Sequence, residues 1–143
     1  MTKNRTFLSY FNMNEAKEIL SIGDIRQLVD SFYKKVRADD LLGPVFSSVI
    51  QDRWPEHLEK MYRFWQTVLL EEHTYFGSPF PPHANLPIGG AHFARWLALF
   101  YENIDTQFQG EKADEAKWRA EKMATLFQMK IEYYKNSNTH PIV

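Results

Sequence analysis

Five histidines are the side chains of this 143-residue sequence best suited to chemistry: His57, His73, His83, His92 and His140. His83 differs from the rest in its setting. It lies in PFPPHANLPIGG, residues 79–90, which holds four of the seven prolines and two of the six glycines. Proline disfavours the α conformation in the residue before it, so no long helix runs through 78–87. At most one short turn fits between Pro82 and Leu86. Such a restricted backbone fixes a side chain's direction at little entropic cost. Two readings follow: a loop histidine facing solvent, or a metal ligand. A neutral imidazole nitrogen is a common ligand. One histidine holds a metal only if something else supplies the remaining ligands, and a porphyrin does so with four nitrogens and a flat apolar face. Aromatic residues make up 15% of the chain, with eleven Phe, seven Tyr and four Trp. They describe either a rich core or a core built around something large and flat. One histidine in an aromatic helical chain without another ligand cluster points to haem more than to bare zinc.

Other candidates stand on helical faces. His57 precedes Met61, Phe64, Trp65 and Val68 at i+4, i+7, i+8 and i+11, the first turn of an apolar stripe. It reads as a boundary histidine or as a cavity residue. Tyr33 flanks the stripe that contains Phe32, and Trp96 lies within another stripe; both also fit an ordinary core. His92 reads as a surface histidine at a helix start. His73 sits in a polar turn beside two glutamates, and His140 in the tail. No HExxH or paired Glu-x-x-His motif appears. Asp39-Asp40 and Glu71-Glu72 fall at helix ends and read as solvated termini. No glycine loop resembles a phosphate cradle.

The absence of cysteine excludes disulfides, thiolate metal sites, cysteine nucleophiles and the C-x-x-C-H haem attachment sequence. Seventeen basic and eighteen acidic residues give a formal charge of -1, without the basic excess expected of a nucleic-acid binder. No apolar run approaches the roughly 18 residues of a membrane span. The start, MTKNRTFLSYFNMNE, has too short an apolar stretch for a signal peptide. These features describe a single-domain cytoplasmic protein.

The elements that must position these residues are all helical. Residues 1–20 are weakly patterned, with Phe7, Leu8, Tyr10 and Phe11 apolar, and EAKEIL as a short helix. From Asp24, apolar Ile25, Leu28, Val29, Phe32 and Val36 keep helical spacing. Ser21 and Asp24 resemble a capping box. That helix should end near Asp39-Asp40. In LLGPVFSSVI, Gly43-Pro44 breaks regularity and leaves Phe46 in a short turn of helix or a loop. A second long helix starts at 52–55, with Asp52 as its cap. A third begins near 88–91 with Phe93, Trp96, Leu97, Phe100, Ile104 and Phe108 on its apolar face. A fourth runs from Lys112 to Lys135. The expected organisation is an extension over 1–20, a domain over 21–136 and a frayed tail over 137–143.

Taken together, FYKKVRADDLLGPVF (32–46), WPEHLEKMYRFW (54–65), YFGSPFPPHANLP (75–87), HFARWLALF (92–100) and RAEKMATLF (119–127) resemble the truncated haemoglobins, specifically their third group. The pieces keep the family's order and spacing over about residues 22–130. The resemblance implies an all-α truncated globin fold, a two-over-two helical sandwich around haem b. It makes His83 the proximal iron ligand and places Tyr33, His57 and Trp96 among the polar distal residues. Phe46 falls where globins stack a phenylalanine on the haem edge, and Met61 and Phe64 would wall the distal pocket. Trp65, Leu86 and Phe93 complete the expected haem contacts. His92 is left outside the pocket. Two departures stand out. The N-terminal extension is longer than the family minimum, and Gly23, Gly43 and Gly77 stand singly where other groups carry glycine pairs.

The function implied is binding of O2, NO or CO at an iron whose sixth position is free, with Tyr33 and Trp96 as hydrogen-bond donors. His57 would gate ligand access or bind iron itself. Slow ligand release would suit NO or peroxide chemistry, with an external reductase, better than O2 transport. Two alternatives stay open: a haem-based sensor acting through a partner, and a haem-free helical interaction protein.

Overall fold

The computed structural model describes residues 16–137. The expectations placed on residues 1–15 and on the tail from 138 onward, His140 included, lie outside them. The described residues fold into five α-helices: α1 (Ile22–Ala38), α2 (Leu42–Ile50), α3 (Trp54–Leu70), α4 (Gly90–Gln107) and α5 (Glu111–Ser137). A single 3-10 turn, Pro81–His83, interrupts the long connection between α3 and α4. Among the described residues there are no strands, and no helix is long and apolar enough to cross a membrane. α1 packs on α3 and α4 on α5, with α1 also against α4, which makes a two-over-two sandwich.

Local chemistry explains each boundary. Ser21 and Asp24 form the capping box anticipated from their spacing: Asp24 N–H donates to Ser21 Oγ (3.3 Å), and Ser21 N–H to Asp24 Oδ2 (3.2 Å). The stripe of Ile25, Leu28, Val29, Phe32 and Val36 is buried, as its period requires. Residues 16–20 of EAKEIL are extended rather than helical. Lys17 donates its N–H to Gln107 O (3.0 Å) and accepts at its carbonyl from Gln109 N–H (2.9 Å). These bonds hold the segment along the end of α4 and seat Ile19 fully in the core.

LLGPVFSSVI forms a nine-residue helix, longer than the short helical turn or loop that the Gly-Pro pair suggested. Pro44 is the third helical residue, a position whose N–H would have no intrahelical partner. The first turn is capped from outside, because Asp39 Oδ2 accepts from the N–H groups of Leu41 (3.1 Å) and Leu42 (3.0 Å). Gly43 is required by space: a Cβ there would lie 2.8 Å from the Arg37 carbonyl oxygen. α3 starts at Trp54 with Arg53 before it and no side-chain cap, so Asp52 does not play that part. Pro55 occupies its first turn.

A seam of alanines on α5, Ala113, Ala116, Ala120 and Ala124, is buried and lets α4 and α5 approach closely. Asn103 on α4 is fully buried. Its Nδ2 donates to Leu28 O on α1 (3.1 Å), and its Oδ1 accepts from Gln107 Nε2 (2.8 Å). This polar pair is satisfied within an otherwise apolar interface.

Candidate functional site

Between the helix pairs lies a cavity of about 200 Å³. All five helices and the connection between α3 and α4 contribute to its wall. None of the lining residues is Asp, Glu, Lys or Arg. The polar side chains of the wall are Tyr33, His57, His83, His92 and Trp96.

The segment carrying His83 is pinned at three levels. Its backbone makes one 3-10 turn, with His83 N–H donating to Phe80 O (2.7 Å) and Leu86 N–H to His83 O (3.2 Å). Phe80 is buried 5.3 Å from the Phe127 ring of α5, in a small core with Ala84 and Ile131. The His83 ring lies 5.0 Å from Phe127, and its Nδ1 sits 2.6 Å from Pro79 O. A carbonyl only accepts, so Nδ1 carries the proton and Nε2 keeps its lone pair. Burial lowers the pKa of this imidazole, outweighing the two backbone hydrogen bonds that raise it. His83 therefore presents a neutral, oriented nitrogen to the cavity it lines. The same hydrogen bond fixes the tautomer and ring direction of metal-binding histidines.

Tyr33, His57 and Trp96 come from three helices, α1, α3 and α4. The rings of Tyr33 and His57 meet edge to face, 5.0 Å apart, and Trp54 packs 6.0 Å from Tyr33 and 5.7 Å from His57. Trp54 does not itself line the cavity. His57 Nε2 is buried with no hydrogen-bond partner among the described residues. Desolvation first, then the charges of Lys60, His83 and Arg53, lower its pKa to about 4. Burial pushes the Tyr33 phenol up, so it stays protonated at neutral pH. Trp96 is held by stacking on Phe100 (5.5 Å, 12° between planes), which stacks in turn on Trp65 (5.2 Å).

The structure gathers all ten sequence-derived candidates around this one cavity. His83, Tyr33, His57 and Trp96 supply polar groups. Phe46, Met61, Phe64, Trp65, Leu86 and Phe93 supply apolar wall. His92 corrects the sequence reading. It lies on the cavity wall rather than outside it, half-buried in the first turn of α4. Its Nδ1 accepts the N–H of Gly89 (3.1 Å) and caps the helix start. Sequence reasoning left Met123, Ala124 and Phe127 of α5 out of the site, although all three line the cavity.

The arrangement can hold a flat apolar group with one nitrogen ligand at His83. The anchored Nδ1, the wall without charged side chains and the orphaned His57 Nε2 all fit a haem. Comparison with known proteins bears on the same point. The family described as bacterial-like globin matches residues 20–132. The group 3 truncated haemoglobin of Campylobacter jejuni is 35% identical over 121 residues, covering 82% of this chain and 95% of that protein. The crystal structure of the group III truncated haemoglobin from Campylobacter jejuni superposes with a TM-score of 0.74 at 34% identity. It covers 81% of this chain and 94% of that one.

Proposed function

Because this chain belongs to the bacterial-like globins, and among them to the group III truncated haemoglobins, a haem-binding family with diatomic ligands, we propose that it holds haem b non-covalently on His83 and controls such a ligand through Tyr33, His57 and Trp96. The observation that carries this reading is the 2.6 Å contact between His83 Nδ1 and Pro79 O. It leaves Nε2 as the free acceptor of a neutral ring on the cavity wall. Leu86 and Phe93 would lie against the group beside His83, with Phe46, Met61, Phe64 and Trp65 as further apolar contacts.

When bound, haem supplies an iron that takes diatomic ligands at the position left free by His83. The chain's own contribution is a few polar groups in an otherwise apolar wall. Among the described residues the Tyr33 hydroxyl and Trp96 Nε1–H have no hydrogen-bond partner, and indole N–H can only donate. A ligand that gathers negative charge on binding takes both donors. Hydrogen bonds to charged groups contribute about 1.5–3 kcal/mol each. Two of them slow ligand release by about a hundredfold or more. So slow a release suits redox chemistry of the ligand, such as NO oxidation or peroxide use with an external reductase, and not O2 transport.

The visible spectrum with and without CO tests the proposal. The wild type is expected to show a Soret band that shifts with CO. His83→Gly loses it, and added imidazole restores it. A colourless wild type that takes up no haem overturns the reading, and uptake by His83→Gly equal to wild type overturns the ligand assignment.

A further inference from the structure

Two histidines on the cavity wall hold their Nδ1 atoms against backbone groups of opposite polarity. His83 Nδ1 faces the Pro79 carbonyl, so it must donate. His92 Nδ1 faces the Gly89 N–H, so it must accept. An imidazole with a bare Nδ1 and one proton carries that proton on Nε2. The two rings thus present opposite chemistry: His83 an acceptor, His92 a donor. His92 cannot ligate a metal through Nε2 while keeping its cap, short of losing its second proton.

The donor sits where an anion has little competition. Neither Asp nor Glu lines the cavity. Ile88, beside Gly89 and on the same wall, has its carbonyl bound by Lys135 Nζ (3.2 Å), which brings an ammonium to this stretch. The first turn of α4 also contributes the positive end of its helix dipole.

We infer that His92 Nε2–H, with Lys135 nearby, forms a carboxylate-binding corner of the cavity that receives a propionate of haem b. This rests on the haem reading above. His92 then does for the cofactor's acidic edge what His83 does for its metal: each fixes orientation through a side chain already locked by backbone.

The test varies both partners of the contact. Wild type, His92→Glu and His92→Gln are reconstituted with haem b and with its dimethyl ester, and loss of haem to an excess apoglobin acceptor is timed. Glu and Gln both serve as acceptors at this third helical position, so the cap survives in both. Only Gln keeps a donor. His92→Glu is expected to lose haem b about tenfold or more faster than wild type, with His92→Gln close to wild type. With the ester, all three proteins should release at similar rates. Equal loss of haem b from the Glu and Gln variants, or the same acceleration with the ester, overturns the inference while leaving the haem reading intact. Absence of a Soret band in the wild type overturns both.

Discussion

His83 and His57 line one cavity, but the chain treats them differently. His83 stands on a three-residue turn between prolines, with its backbone N–H and its Nδ1 both engaged by carbonyls. His57 stands in the first turn of a seventeen-residue helix, packed edge-on against two aromatic rings, with Nε2 unpaired. One is positioned by hydrogen bonds, the other by packing. A buried polar atom without a partner costs about 1–3 kcal/mol. Native folds seldom retain such a cost unless the atom has something to meet. On the function proposed above, the comparison separates a side chain fixed for permanent attachment from side chains kept free for a guest that comes and goes.

The sharpest way to break that contrast is to remove the free donors. Trp96→Phe and Tyr33→Phe should each speed O2 release by about tenfold or more, and the double variant by about a hundredfold or more. Stopped-flow release rates unchanged from wild type would remove the donor argument. The next effect belongs to His57 in the apoprotein. His57→Leu should be about 1–3 kcal/mol more stable than wild type at pH 7, read from urea unfolding, because an unpaired polar atom is gone. The folded-state pKa is depressed, from 6.5 to about 4. As pH falls through that interval the unfolded chain takes the proton first, so wild type loses stability and the gap to His57→Leu widens. A gap constant from pH 7 to 4 would put the imidazole in contact with water. The smallest effect concerns the anchored side. Pro82→Ala should cost about 0.4–1 kcal/mol through the freer unfolded chain and leave the Soret position unchanged. A shifted Soret would mean that the prolines hold His83 itself, beyond stiffening the loop.

Much of this was legible in residue spacing. The four long helices follow from their apolar periods, and the capping box from Ser21 and Asp24 three apart. The short turn around His83 follows from proline's exclusion of helix. What spacing missed lies in local backbone and cap geometry that residue types alone do not fix. Gly43-Pro44 reads as a breaker until Asp39 caps the helix and the Arg37 carbonyl forbids a side chain at 43. Asp52 has cap chemistry, but the helix starts without a side-chain cap. His92 reads as a surface residue from its place at a helix start, although one turn before Trp96 is the same helix face. Only the bond from Gly89 shows that its ring turns back along the helix start and meets the cavity.

Asn103 lies outside the cavity, yet it acts on the cavity as a caliper. Tyr33 rides on α1 and Trp96 on α4, and the bond from Asn103 Nδ2 to Leu28 O joins those two helices. The gap between Tyr33 and Trp96 thus depends on an amide that does not line the cavity. Any change that slides α4 along α1 by a fraction of a turn resets that gap. On the function proposed above, the grip on a bound ligand is therefore tunable from a residue in the apolar interface behind it.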